Sequence, residues 1–177
     1  MAVSSDIAAM YRRPAEVVRR KLSLDESEPR ALAYLMAACA FMFVAQLPSV
    51  SRRVSLSDPD RWAGDPGAYQ QALQPALGGA LLATMIFWPL ILYALAALGQ
   101  VILRVLRQRV SGYEMRIALF WGLLSAAPIA LLAGLTAGFV GQGIELTVVG
   151  VLWLLAVMWF VATGVRVARR QRIEETV

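Results

Sequence analysis

Residues 111–143 read SGYEMRIALFWGLLSAAPIALLAGLTAGFVGQG, and between Arg116 and Glu145 the chain carries no charge. Residues 117–139 supply 23 mostly apolar positions. At about 1.5 Å per residue they reach across a hydrocarbon core of about 30 Å. Pro128 lies inside this stretch, just ahead of a stripe of small residues, Ala130, Gly134 and Gly138, spaced four apart. Such a stripe lets a second helix backbone approach closely, and in lipid close packing is the main attraction between helices. It is read as the seam where this span packs on the next, with an oligomer face as the alternative.

The rest of the composition agrees with a membrane protein. Hydrophobic residues make up 59% of the 177, charged residues 16%, and the mean hydropathy is +0.60, against about a quarter charged in soluble domains. The length allows one all-α bundle and no separate soluble domain. Three further apolar stretches stand out, at 30–48, 76–103 and 146–165, giving four expected spans. Pro48 and the polar residues after it are expected to stop the first. The second is longer than a perpendicular helix needs, and Pro89 within it predicts a kink. Residues 49–75 read as the longest polar connection, with a short surface helix near its end.

Ahead of the spans, Ile7, Met10, Tyr11, Val17, Val18 and Leu22 recur at helical spacing, and Arg12, Arg13, Arg19 and Arg20 fall elsewhere. Pro14 is placed to start a second short helix at its first position. Residues 1–28 are therefore read as an amphipathic cytoplasmic segment. It either lies in the headgroup layer of an anionic leaflet through those arginines or packs beneath the bundle. Residues 29–168 form the membrane domain and residues 169–177 a cytoplasmic tail.

Topology follows from the basic residues. Six lie in the N-terminal segment through Arg30, four flank the connection between spans two and three, and four lie from Arg166 onward, after the fourth span. That places 14 of 17 on one side, leaving Arg52, Arg53 and Arg61 on the other. The positive-inside rule then puts both termini in the cytoplasm. Sixteen of the 17 are arginine, which we read as codon bias and not as nucleic-acid binding, despite a pI near 10.0.

Little chemistry is available to such a bundle. No span carries an Asp, Glu, Lys, Arg or His in its middle, which argues against a coupled transporter or pump. The chain has no histidine and one cysteine, Cys39, so haem ligation, thiolate metal sites and the commonest general base are missing. Ser125 lacks a base to activate it, and no glycine-rich loop precedes a helix with a lysine. No catalytic residue, metal or other cofactor is expected.

Gly112-Tyr113 followed by RIALFWGLLSAAP, with Ala127-Pro128 in mid-helix, resembles the Yip-one domain family of small polytopic membrane proteins. The opening DIAAMYRRPAEVVRRKL resembles that family's cytoplasmic entry helix, with Pro14 and its arginines in the proline-plus-basic pattern. Family members typically have five spans where four are counted here. The long N-terminal region through which eukaryotic relatives bind Rab-type GTPases is absent, so that binding is not carried over. The resemblance, with the arginine bias, implies a bacterial inner-membrane member that is not an enzyme. Such a protein is a scaffold or accessory subunit contacting lipid and other membrane proteins or copies of itself. A small oligomeric channel or transporter is the alternative.

Overall fold

The computed structural model of the chain describes residues 3–108 and 110–174, and their regular structure is entirely helical. The order is α1 (Val3–Met10), α2 (Pro14–Leu22), α3 (Glu28–Ser57), α4 (Pro59–Gly64), α5 (Pro66–Leu82), a π-helical turn (Ala83–Phe87), α6 (Trp88–Val105), α7 (Gly112–Ser125), α8 (Ala127–Phe139) and α9 (Ile144–Glu174). Three helical runs are long and apolar enough to cross a membrane: Glu28–Ser57, Gly67–Val105 and Ile144–Ile173. The pair α7 and α8, bent by 46° at its break, supplies a fourth if taken as one span.

The bundle is built around α7. Eleven of its residues are buried, and they point in every direction round the helix. It is enclosed by α3, α6, α9 and the N-terminal pair α1 and α2. Its start is fixed by a capping box: the Ser111 hydroxyl accepts from the Glu114 backbone N–H at 3.1 Å, and the Glu114 carboxylate accepts from the Ser111 N–H at 2.5 Å. Helix thus begins five residues before the expected Ile117.

The break after α7 has a local cause. Pro128 cannot donate a backbone hydrogen bond, and the helix restarts with Ile129 and Ala130 donating to the Ala126 carbonyl, each at 3.1 Å. The Ser125 carbonyl is thereby left without its usual partner four residues on. The Tyr11 hydroxyl donates to it at 2.9 Å, so the N-terminal pair repairs the gap.

Two expected boundaries are corrected. The first helix does not stop at Pro48 but continues to Ser57. Tertiary contacts hold the extension: Val50 is buried, Arg52 reaches the end of α8, and the Trp62 indole donates to the Val54 carbonyl at 2.9 Å. The polar connection at 49–75 is therefore mostly helix. Asp65 caps α5, accepting from the Gly67 and Ala68 N–H groups at 2.9 and 3.2 Å. Just ahead of Pro89 the helix widens into the π turn at Ala83–Phe87. The wider turn makes room for the proline ring where it would meet the carbonyl four residues back.

Ion pairs mark one end of the bundle. Arg116 near the start of α7 pairs with Glu28 at the start of α3, and Arg172 near the end of α9 pairs with Glu114 at 3.1 Å. Arg52, further along α3 by about 36 Å of helix, marks the other end. The outer faces of the π turn, α6 and α9 are apolar and uncovered, from Ile86, Phe87 and Leu90 to Leu155, Met158 and Trp159.

Candidate functional site

The most unusual chemistry lies where the N-terminal pair meets the bundle. A turn at Tyr11–Arg13, closed by the Arg12 and Arg13 N–H groups on the Ala9 carbonyl, folds α2 back on α1, and Pro14 occupies the first turn of α2. Met10, Val17 and Val18 are buried in the main core, and Tyr11 stands edge-on to Phe160 of α9 with centroids 5.3 Å apart. Of the two placements open for this segment, the structure packs its apolar residues on the bundle. Its apolar face is covered by protein because α7 and α9 present matching apolar surface there.

Inside that contact lies a buried ion pair. Asp6 is 4% exposed and takes the ammonium of Lys21, the only lysine, at 2.7 Å, together with the Arg20 guanidinium. Lys21 Nζ also sits 4.5 Å from the centroid of the Trp121 ring and 5.4 Å from that of Tyr34, so its charge is shared between a carboxylate and two ring faces. Burial alone would raise the Asp6 carboxyl. The hydrogen bond and charge of Lys21, then those of Arg20, outweigh it and hold the group below its ordinary value. Asp6 is thus a fixed anion that locks α1 to α2 and to α7, not a group poised to exchange protons near neutrality.

The small-residue stripe is occupied within the chain. A Cβ at Gly134 would collide with the Ala45 carbonyl group, and one at Gly138 with the Pro48 ring; Ala130 is buried beside them. The stripe seats α8 on α3, whereas the sequence pointed to the following helix. That following helix instead has its own close approach: a Cβ at Gly164 would lie 2.7 Å from Ala118 Cβ on α7. Arg52 donates to the Gly138 and Phe139 carbonyls at 3.1 and 3.0 Å, placing a cation on the negative end of α8.

One polar pair lies between spans. The Gln46 amide donates to the Thr84 hydroxyl at 2.9 Å, and Thr84, fully buried at the start of the π turn, donates to the Ala80 carbonyl at 2.8 Å. Interhelical bonds of this kind in lipid average about 0.6 kcal/mol. Gln46→Leu is expected to lower the unfolding free energy by about 1 kcal/mol or less. Loss of the folded state in a thermal scan would show that the pair does more.

The remaining sequence candidates are dispersed. Pro128 is exposed and Ala127 buried at the break, Gly112 opens α7, and Tyr113 is buried one position on. Arg12, Arg13, Arg19 and Arg20 do not make one patch: Arg20 turns inward to Asp6, and Arg13 stands 3.6 Å from Glu16. Arg19 instead lines a cavity of about 170 Å³ between α2 and α9 with Arg166, Arg170 and Gln171. A second cavity, about 510 Å³, lies beside Arg52 and Arg53 at the other end. Sequence reading missed Asp6 and Lys21 altogether, because their pairing crosses two helices and follows no period. Among the described residues no group of histidine, cysteine, aspartate and glutamate is assembled that could hold a metal ion.

Comparison of the chain with protein-family models, with characterised proteins and with solved structures found no match.

Proposed function

We propose that the chain is a non-enzymatic membrane protein with four spans and both termini in the cytoplasm of a bacterial cell. In this reading it is a short relative of the Yip-one domain family, acting as a scaffold or accessory subunit that contacts anionic lipid and other membrane proteins. The observation that carries the reading is the division of its surface. The ends of α2, α3, α7 and α9 at the ion-paired end hold half of the arginines, eight of the 16. The outer faces of α6 and α9 are long, apolar and uncovered, while the buried charges are spent on joining helices to one another. Lipid or a partner's spans satisfy those outer faces; the glycine stripe, already filled by α3, is not the partner surface.

The test is a gentle pull-down of the full chain from native membranes, with the purified protein also placed in liposomes. The expected result is stoichiometric co-purification of a larger membrane protein without solute flux. A defined homo-oligomer that conducts ions or solutes would overturn the scaffold in favour of a pore. Reporter fusions at Val177 and within residues 57–67 should report opposite sides; a shared side would overturn the four-span topology.

A further inference from the structure

The cavity between α2 and α9 has the makings of a specific site. Ala15 and Arg19 lie one turn apart on α2. Thr163, Arg166, Val167, Arg170 and Gln171 form one stripe on α9 at spacings of three and four. Among the described residues no acidic side chain lines it. Four acids of this end pair with other bases: Asp6 with Lys21 and Arg20, Glu16 with Arg13, Glu28 with Arg116 and Glu114 with Arg172. Among the described residues Arg19, Arg166 and Arg170 have no ion-pair partner, and all three line one concavity. The floor is neutral: Val167 is buried, and the Thr163 hydroxyl donates to the Trp159 carbonyl at 2.8 Å.

We propose that Arg19, Arg166 and Arg170, with the Gln171 amide, bind the phosphate of one anionic phospholipid whose acyl chains lie along α9 over Trp159 and Leu155. This deepens the lipid-contacting part of the function proposed above. Guanidinium forks match phosphate oxygens in pairs, and basic pockets between spans at the cytoplasmic end suit anionic headgroups. At about 170 Å³ the cavity is smaller than the roughly 300–1,000 Å³ of small-molecule pockets, so it admits a headgroup and not a whole ligand. The same face of α9 continues one and two turns onward into Trp159 and Leu155, both exposed. A free phosphate would leave that apolar track unused; a lipid covers it.

The test titrates the purified full chain in neutral detergent with phosphatidylglycerol brominated on its acyl chains, reading quenching of tryptophan fluorescence. Brominated phosphatidylcholine serves as the zwitterionic reference. Wild type should prefer the anionic lipid, and most of the quenching should disappear in W159F. R166Q/R170Q should weaken that preference about 30-fold, while R12Q/R13Q, which removes equal charge outside the cavity, should change it less than about threefold. Equal losses in the two variants, or none in either, would overturn the site. Displacement of the lipid by low millimolar inorganic phosphate would show a free-phosphate site and overturn the lipid assignment. All these substitutions are at exposed side chains, and unchanged helical circular dichroism checks the fold. Because binding is read on the isolated chain, its failure leaves the pull-down result standing, and a failed pull-down leaves the site standing.

Discussion

Replacing Gly134 by leucine is expected to unseat α8 from α3 and leave little folded protein to purify. A Cβ at this position would stand 2.6 Å from the Ala45 carbonyl carbon and closer still to its oxygen. The obstacle is backbone, which cannot rotate away as a side-chain tip can. Overpacking a filled core costs about 1–3 kcal/mol and sometimes more; a collision with a helix backbone belongs at the upper end. Alanine alone should already be costly here. Gly150→Ala is the matched control, since nothing lies within 4 Å of its added carbon, and removing a helical glycine should be neutral or stabilise by up to about 1 kcal/mol. Thermal unfolding in detergent separates the two. A Gly134→Leu protein that melts with wild type would mean that α8 does not sit on α3.

The second large effect is expected at Asp6. Asp6→Asn leaves Lys21 charged in a site where its side chain is 11% exposed. Removing one partner of a buried pair costs about 3–5 kcal/mol, or about a hundredfold or more in the ratio of docked to undocked N-terminal pair. Arg20, whose side chain is 44% exposed, can return to water and adds little. Trypsin cleavage after Arg12 and Arg19 reads the undocked fraction, and its rate should rise accordingly. The double variant D6L/K21M should recover most of the loss, because it removes both charges and fills the space. Acid acts on the same contact. The Asp6 carboxyl is held below its ordinary value of 3.8, so the docking strength it gives is complete above that pH. It fades as the pH falls below 3.8 through the lowered value. Cleavage of the Asn variant at the wild-type rate would show that the pair does not hold the segment.

Hydropathy made the apolar runs legible, because an uncharged stretch of 20 or so residues has few other homes. It could not tell which of them meet lipid. The run at 117–125 is apolar all round, a pattern shared by a lipid-facing span and a helix walled in by protein, and α7 is the second kind. Pro48 misled for a physical reason: its missing donor weakens a helix locally, but packing of Val50 and the reach of Arg52 to α8 carry the helix on. The Ser111–Glu114 box was readable from its spacing and fixes the true start of α7. The stripe at Ala130, Gly134 and Gly138 declared a close approach without naming its partner. Asp6 and Lys21 left no trace in the sequence, since only the folding back of α2 brings them together.

The walling-in of α7 bears on how the protein is made. Its neighbours come from far before and after it in the chain: Tyr11 reaches the Ser125 carbonyl across 114 positions, and α9, made after α7, packs along it as well. The central rod therefore waits half-clothed until α9 has been made. Throughout that wait its bare glycine and alanine surfaces are open to any insertase or chaperone that shields unfinished helices.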